Sequence, residues 1–108
     1  MRQTILFALL TLFLSGCLSS ADRVRNETRR AWEAYERHAS GFDELRPLSR
    51  TGRNWYAETL LITPVDSLST LHLLGLREEA SRAQRLVVEQ LSFDKDIEVK
   101  NFEVTIRI

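Results

Sequence analysis

The sequence predicts an all-α chain, and three stretches carry that prediction. Between Asp22 and Ala39, the residues Val24, Ala31, Trp32, Tyr35 and Ala39 recur at helical intervals among Arg and Glu. Thr63-Pro64-Val65-Asp66 is a helix-start pattern, followed by Leu68, Leu71 and Leu74 on one face. Leu76, Ala80, Ala83, Val87 and Leu91 then follow at spacings of about one helical turn.

The chain opens with Arg2, the apolar run Ile5 to Leu14, and then Leu14-Ser15-Gly16-Cys17. A charged start, a short apolar stretch and small residues before a cysteine describe a bacterial lipoprotein signal. The run is too short for a comfortable bilayer span. Residues 1–16 are therefore expected to be cleaved as a signal peptide. Residues 17–21 would form the lipidated start and tether, with Cys17 carrying the acyl chains; several chains anchor stably where one does not. Leu18 and Ser19 supply no acidic retention signal, so the expected location is the cell envelope, at the outer membrane if the cell has one.

In the first helix Glu33 and Arg37 are a favourable four-apart pair, and Gly41 suits its C-terminal cap. Residues 42–60 read as a long connection containing Pro47 and Gly52, a length that is usually functional or packed on something larger. In the second helix Thr63 is expected to cap, Pro64 to fill the first turn and Asp66 to reach back, with Gly75 ending the element. The third helix is expected to gain a Glu78–Arg82 pair. After Phe93, Ile97, Val99, Phe102, Val104, Ile106 and Ile108 alternate with polar residues, which by itself predicts strand. Glu103 and Arg107 share a face in either conformation, because a spacing of four is even along a strand and one turn along a helix.

The single cysteine leaves no internal disulfide, so packing alone must hold the fold. Losing Arg2 with the signal takes Lys and Arg from 15 to 14 against 15 Asp and Glu, which gives no electrostatic reason to expect nucleic acid as a partner. His38 and His72 have no acidic or histidine partner at a metal-ligand spacing. No glycine-rich phosphate loop or nucleophile elbow is present. Trp32 and Tyr35 are expected in the core, while Trp55 and Tyr56, in the long connection, are better placed to see a ligand.

Three ordered blocks carry a family resemblance: AWEAYERHASGFDELRPLS (Ala31 to Ser49), NWYAETLLITPVDSLSTLHLLGL (Asn54 to Leu76) and the ending LSFDKDIEVKNFEVTIRI. Together they resemble the start of glycoside hydrolase family 47, the class I inverting α-1,2-mannosidases. The resemblance implies that residues 22–108 are the N-terminal part of a catalytic domain, the first helices of an incomplete (α/α) toroidal barrel. It also implies that the ending is an inner helix instead of a strand. Ile108 closes an apolar pattern with no stop signal, so the chain is expected to be a fragment, inactive alone.

Matching FEVTIR to the family motif puts Glu103 at the general acid and Arg107 at a sugar contact. Inversion needs a protonated carboxyl on the leaving oxygen and a second carboxylate activating water on the opposite face, roughly 6.5 to 9.5 Å away. The resemblance implies that the second carboxylate lies downstream. It also implies a calcium ion on the sugar hydroxyls, whose protein ligand, a threonine, is downstream too. Asp66 matches a family aspartate, although Ser69 stands where a second acidic residue is usual, and the capping box already accounts for Asp66. Asp43 and Glu44 match a loop motif and are given no catalytic role. The expected partner is a mannose-containing oligosaccharide, with the lipid bilayer engaged through Cys17. The alternative is a small lipid-anchored binding or scaffold lipoprotein of glycosidase ancestry.

Overall fold

The computed structural model describes residues 19–108; residues 1–16, expected as a signal peptide, and Cys17 lie outside the described residues. Helix α1 spans Ser20–Ala39, two residues earlier than the apolar pattern suggests, because Ser19 caps it: its Oγ accepts from the Asp22 amide at 3.1 Å. Trp32, Tyr35 and Ala39 form its buried stripe. Val24 and Ala31, expected on that stripe, are exposed. Gly41 takes φ 85°, a left-handed turn that glycine adopts without steric cost, and the Phe42 amide bonds back to the Ala39 carbonyl at 3.0 Å.

The long connection is not structureless. Strands β1 (Glu44–Arg46) and β2 (Thr51–Arg53) pair antiparallel in the register Glu44 with Arg53, Leu45 with Gly52 and Arg46 with Thr51. The all-α expectation therefore holds for the main elements and misses this hairpin. It rests on α1, where the Tyr35 hydroxyl donates to the Phe42 carbonyl at 2.7 Å. Burial pushes the Tyr35 phenol above its ordinary pKa, so it remains a neutral donor. Phe42 lies against Gly52, where any Cβ would come within 2.3 Å of the ring.

Helix α2 is Ile62–Leu73 and does not begin with the expected capping box. Its N-cap is Leu61, held at φ 53°, with no side-chain cap bond. Thr63 lies inside the helix, and its hydroxyl donates to the Asp43 carbonyl at 2.6 Å. The donors of the first turn are met from the loop instead. The Ile62 amide reaches Asp43 Oδ1 at 3.3 Å and the Thr63 amide reaches the Asp43 carbonyl at 3.0 Å, while Pro64 has no amide hydrogen to satisfy. Asp66 is thereby free of the helix start.

Gly75, at φ 68°, ends α2 as expected: its amide bonds the His72 carbonyl at 3.0 Å and the Leu76 amide bonds the Leu71 carbonyl at 2.9 Å. Leu71 and Leu76, the two residues bracketing this turn, are both buried in the core. Helix α3, Arg77–Gln90, then packs back on α2. One cluster joins the three helices: Trp32, Tyr35 and Ala39 from α1, Leu71 from α2, Leu76 from the turn, and Ala80 and Ala83 from α3. Arg82 clasps Glu36 of α1 through two bonds of 2.8 and 3.0 Å, and Arg29 reaches Glu79 at 3.1 Å. The expected Glu78–Arg82 pair thus gives way to an inter-helix one. Among the described residues no ion pair joins Glu33 to Arg37.

Residues 91–100 form neither helix nor strand and are tied to the loop before α2 by Lys95–Glu58 at 3.0 Å and by the Lys100 amide on Tyr56 Oη at 3.4 Å. The ending is helix α4, Asn101–Arg107, in contact with α2. The alternating pattern therefore misleads here, and the helical expectation drawn from the resemblance holds. No helix of the described residues is long and apolar enough to cross a membrane.

Candidate functional site

Helix α4 puts Glu103 and Arg107 one turn apart, and Arg107 Nε donates to Glu103 Oε2 at 2.9 Å. The other arm of the guanidinium leaves α4: Nη1 bonds Asp66 Oδ2 on α2 at 2.5 Å. Both bonds push the Arg107 pKa further up, the one to Glu103 contributing more, so the residue is a permanent cation. Its Cζ also lies 5.3 Å from the centre of the Trp55 ring, within cation–π range.

Trp55 is held at both ends. Its backbone amide donates to Asp43 Oδ2 at 2.9 Å and its indole Nε1 donates to Glu44 Oε2 at 2.7 Å. Glu44 in turn pairs with Arg53 across the hairpin at 3.1 Å. Asp43 lies beneath, fully buried, its carboxylate also accepting from Thr59 Oγ1 at 3.0 Å and the Leu60 amide at 2.7 Å. The acidic pair of the loop motif thus divides: Asp43 builds the loop, and Glu44 fixes the indole on which Arg107 rests.

The side chains of Arg107, Asp66 and Glu103 keep 34%, 36% and 33% of their surface in solvent, enough for a polar ligand to reach them. The arrangement can present one carboxyl for proton transfer beside a fixed fork of N–H donors. Sequence reasoning brought Glu103 and Arg107 together and left Asp66 to a cap it does not make. Trp55 was singled out only as a loop aromatic. The clue available for Asp66 was its place in the matched block, which a sufficient local explanation outweighed.

Calcium prefers six to eight oxygen ligands. Among the described residues no cluster of three His, Cys, Asp or Glu could hold a metal ion, and the Asp66 and Glu103 carboxylates are joined through a guanidinium. These residues do not form a calcium site by themselves.

The family model described as Glycosyl hydrolase family 47 matches residues 27–108. The chain is 45% identical over 78 residues to the endoplasmic reticulum mannosyl-oligosaccharide 1,2-alpha-mannosidase of Homo sapiens, a match covering 72% of this chain and 11% of that protein. It is 41% identical over 86 residues to a mannosyl-oligosaccharide 1,2-alpha-mannosidase of Arabidopsis thaliana, covering 80% of this chain and 15% of that one. A Candida albicans protein of the same name is 35% identical over 94 residues, covering 83% and 17%. The chain thus spans between 11% and 17% of the length of these relatives.

Proposed function

Because the chain belongs to glycosyl hydrolase family 47, we propose that it supplies the general-acid segment of an inverting mannosyl-oligosaccharide α-1,2-mannosidase built as an (α/α) barrel. The observation that carries this reading is the Glu103–Arg107 pair: one carboxyl and one guanidinium, 2.9 Å apart on one face of α4 and open to solvent. In this reading Glu103 gives its proton to the glycosidic oxygen as the bond to the leaving sugar breaks. Arg107 holds sugar hydroxyls with donors not engaged by Glu103 or Asp66. The second carboxylate, which would activate water on the opposite face, is sought outside the described residues. So are the ligands of the calcium ion that the family resemblance implies.

The test uses the full-length enzyme on an α-1,2-linked mannobiose with calcium present. Glu103→Gln is expected to lower kcat by about 10² to 10⁴ while leaving KM nearly unchanged, as loss of a general acid does. Arg107→Ala is expected to raise KM as well as lower kcat, because it removes donors from the sugar. Wild-type turnover in Glu103→Gln would remove the acid assignment.

The sequence of residues 1–17 supports a second part of the reading, that the protein is exported and anchored at the cell envelope through a lipidated Cys17. Labelling with a radioactive fatty acid separates the cases. The wild type is expected to take up label and Cys17→Ser to take up none, whereas equal labelling would falsify the anchor.

A further inference from the structure

Arg107 joins Glu103 of its own helix to Asp66, 41 residues away on α2, one carboxylate on Nε and the other on Nη1. We propose that Asp66 is a positioning residue for the general acid: it fixes the Nη1 arm of Arg107, so that the guanidinium is held in one orientation beside Glu103. This deepens the reading of Glu103 as the acid and rests on it.

Four observations carry the proposal. Asp66 has no part in starting its own helix, because the first turn of α2 is satisfied by Asp43. Asp66 lies beyond the first turn of α2, and its carboxylate is spent on another element. Secondly, Arg–carboxylate pairs favour a two-bond fork that occupies both oxygens. Arg107 makes no such fork with Glu103: its Nε bonds Oε2 alone, and a second carboxylate, Asp66, holds the other arm through Nη1. Thirdly, the guanidinium lies over the Trp55 ring, 5.3 Å from its centre. Trp55 is itself fixed by Asp43 and Glu44, so the platform is not a mobile loop side chain. Two in-plane bonds and one contact to the ring hold the fork before any substrate arrives, which is how orientation is prepaid. Fourthly, one cation is shared between two carboxylates, so Glu103 does not have the whole of its charge.

Replacing Asp66 is therefore expected to act through Arg107 and not beside it. A double-mutant cycle on the full-length enzyme tests this with Asp66→Asn, chosen because it keeps the shape of the side chain, and Arg107→Lys, which keeps the charge but not the fork. Asp66→Asn alone is expected to lower kcat by about 10- to 100-fold, the cost of a misplaced catalytic group. In the Arg107→Lys background it is expected to cost no further factor. A purely structural role for Asp66 gives losses that multiply, and that result overturns the proposal, as does wild-type kcat in Asp66→Asn. A crystal structure of Asp66→Asn gives a second readout that needs no activity: Arg107 is expected to leave its place over the Trp55 ring beside Glu103, and an unmoved guanidinium overturns the proposal. Failure of the underlying reading looks different. Glu103→Gln with full turnover removes the acid, whereas an inactive Glu103→Gln beside an unaffected Asp66→Asn removes the positioning role alone.

Discussion

Asp43 shows how much of this molecule hangs on single side chains. Its carboxylate receives hydrogen bonds from the Trp55 amide, the Thr59 hydroxyl, and the Leu60 and Ile62 amides, all while completely excluded from solvent. Leu60 and Ile62 flank Leu61, whose left-handed φ of 53° costs a side-chain-bearing residue about 1 to 2 kcal/mol. Asp43 therefore pins a strained junction from both sides. An acidic loop residue beside a family motif invites a substrate-binding reading; total burial and four donors argue for scaffolding. Asp43→Ala would strand several buried donors at about 1 to 3 kcal/mol each. Because such losses are not additive, a fall of at least about 3 kcal/mol in unfolding free energy is expected. Urea denaturation of the proposed full-length protein measures it. A fall below about 1 kcal/mol would mean that water replaces the carboxylate at no great cost. At the same scale, the spacing of Glu103 and Arg107 was legible because four residues share a face in either conformation. Asp66 was not, since its partner is set by how α4 crosses α2 and no local pattern records that.

What could be read of the elements follows from the length over which a periodicity runs. Helices α1, α2 and α3 are 20, 12 and 14 residues long, enough for an apolar stripe to repeat, and glycines at positions 41 and 75 stand where the chain must turn left-handed. The hairpin strands have three residues each, too few for an alternation to show. They exist because Gly52 admits the Phe42 ring and because Tyr35 holds the Phe42 carbonyl from α1. Helix α4 failed in the opposite way. Its apolar residues alternate, but Phe102 and Ile106 point into solvent, so the alternation does not record a buried sheet face. Ion pairs show the same limit. Spacing along a helix nominates Glu78 for Arg82, yet the geometry between helices offers Glu36 two bonds at once, and the bidentate pair prevails.

For the whole molecule the question is whether these elements can sustain a fold. The cluster that joins the helices has seven members, and three of them, Ala39, Ala80 and Ala83, contribute only a methyl group each. Against that small core stand exposed apolar side chains on several elements: Leu73 on α2, Val88 on α3, Phe93 in the connection to α4, and Phe102 and Ile106 on α4. Apolar surface of this amount is usually covered by a partner element. No disulfide can substitute for it, since the sequence holds one cysteine. A chain of this size buries only about 60 to 65% of the surface its unfolded form exposes. Conformational entropy then opposes folding at about 1 to 2 kcal/mol per residue, with little margin on the other side. The 108-residue chain is accordingly expected to show helical circular dichroism, to bind an apolar-surface dye and to melt over a broad range. The strongest local contacts should persist longest. The Gly75 turn and the α2–α3 pair, whose contacts are close in sequence, are expected to keep amide protection after α1 and α4 have lost it. Hydrogen exchange read residue by residue decides the matter. Uniform protection across α1, α3 and α4, together with a sharp cooperative melt and no dye binding, would show that the small core suffices and that the exposed apolar residues need no cover.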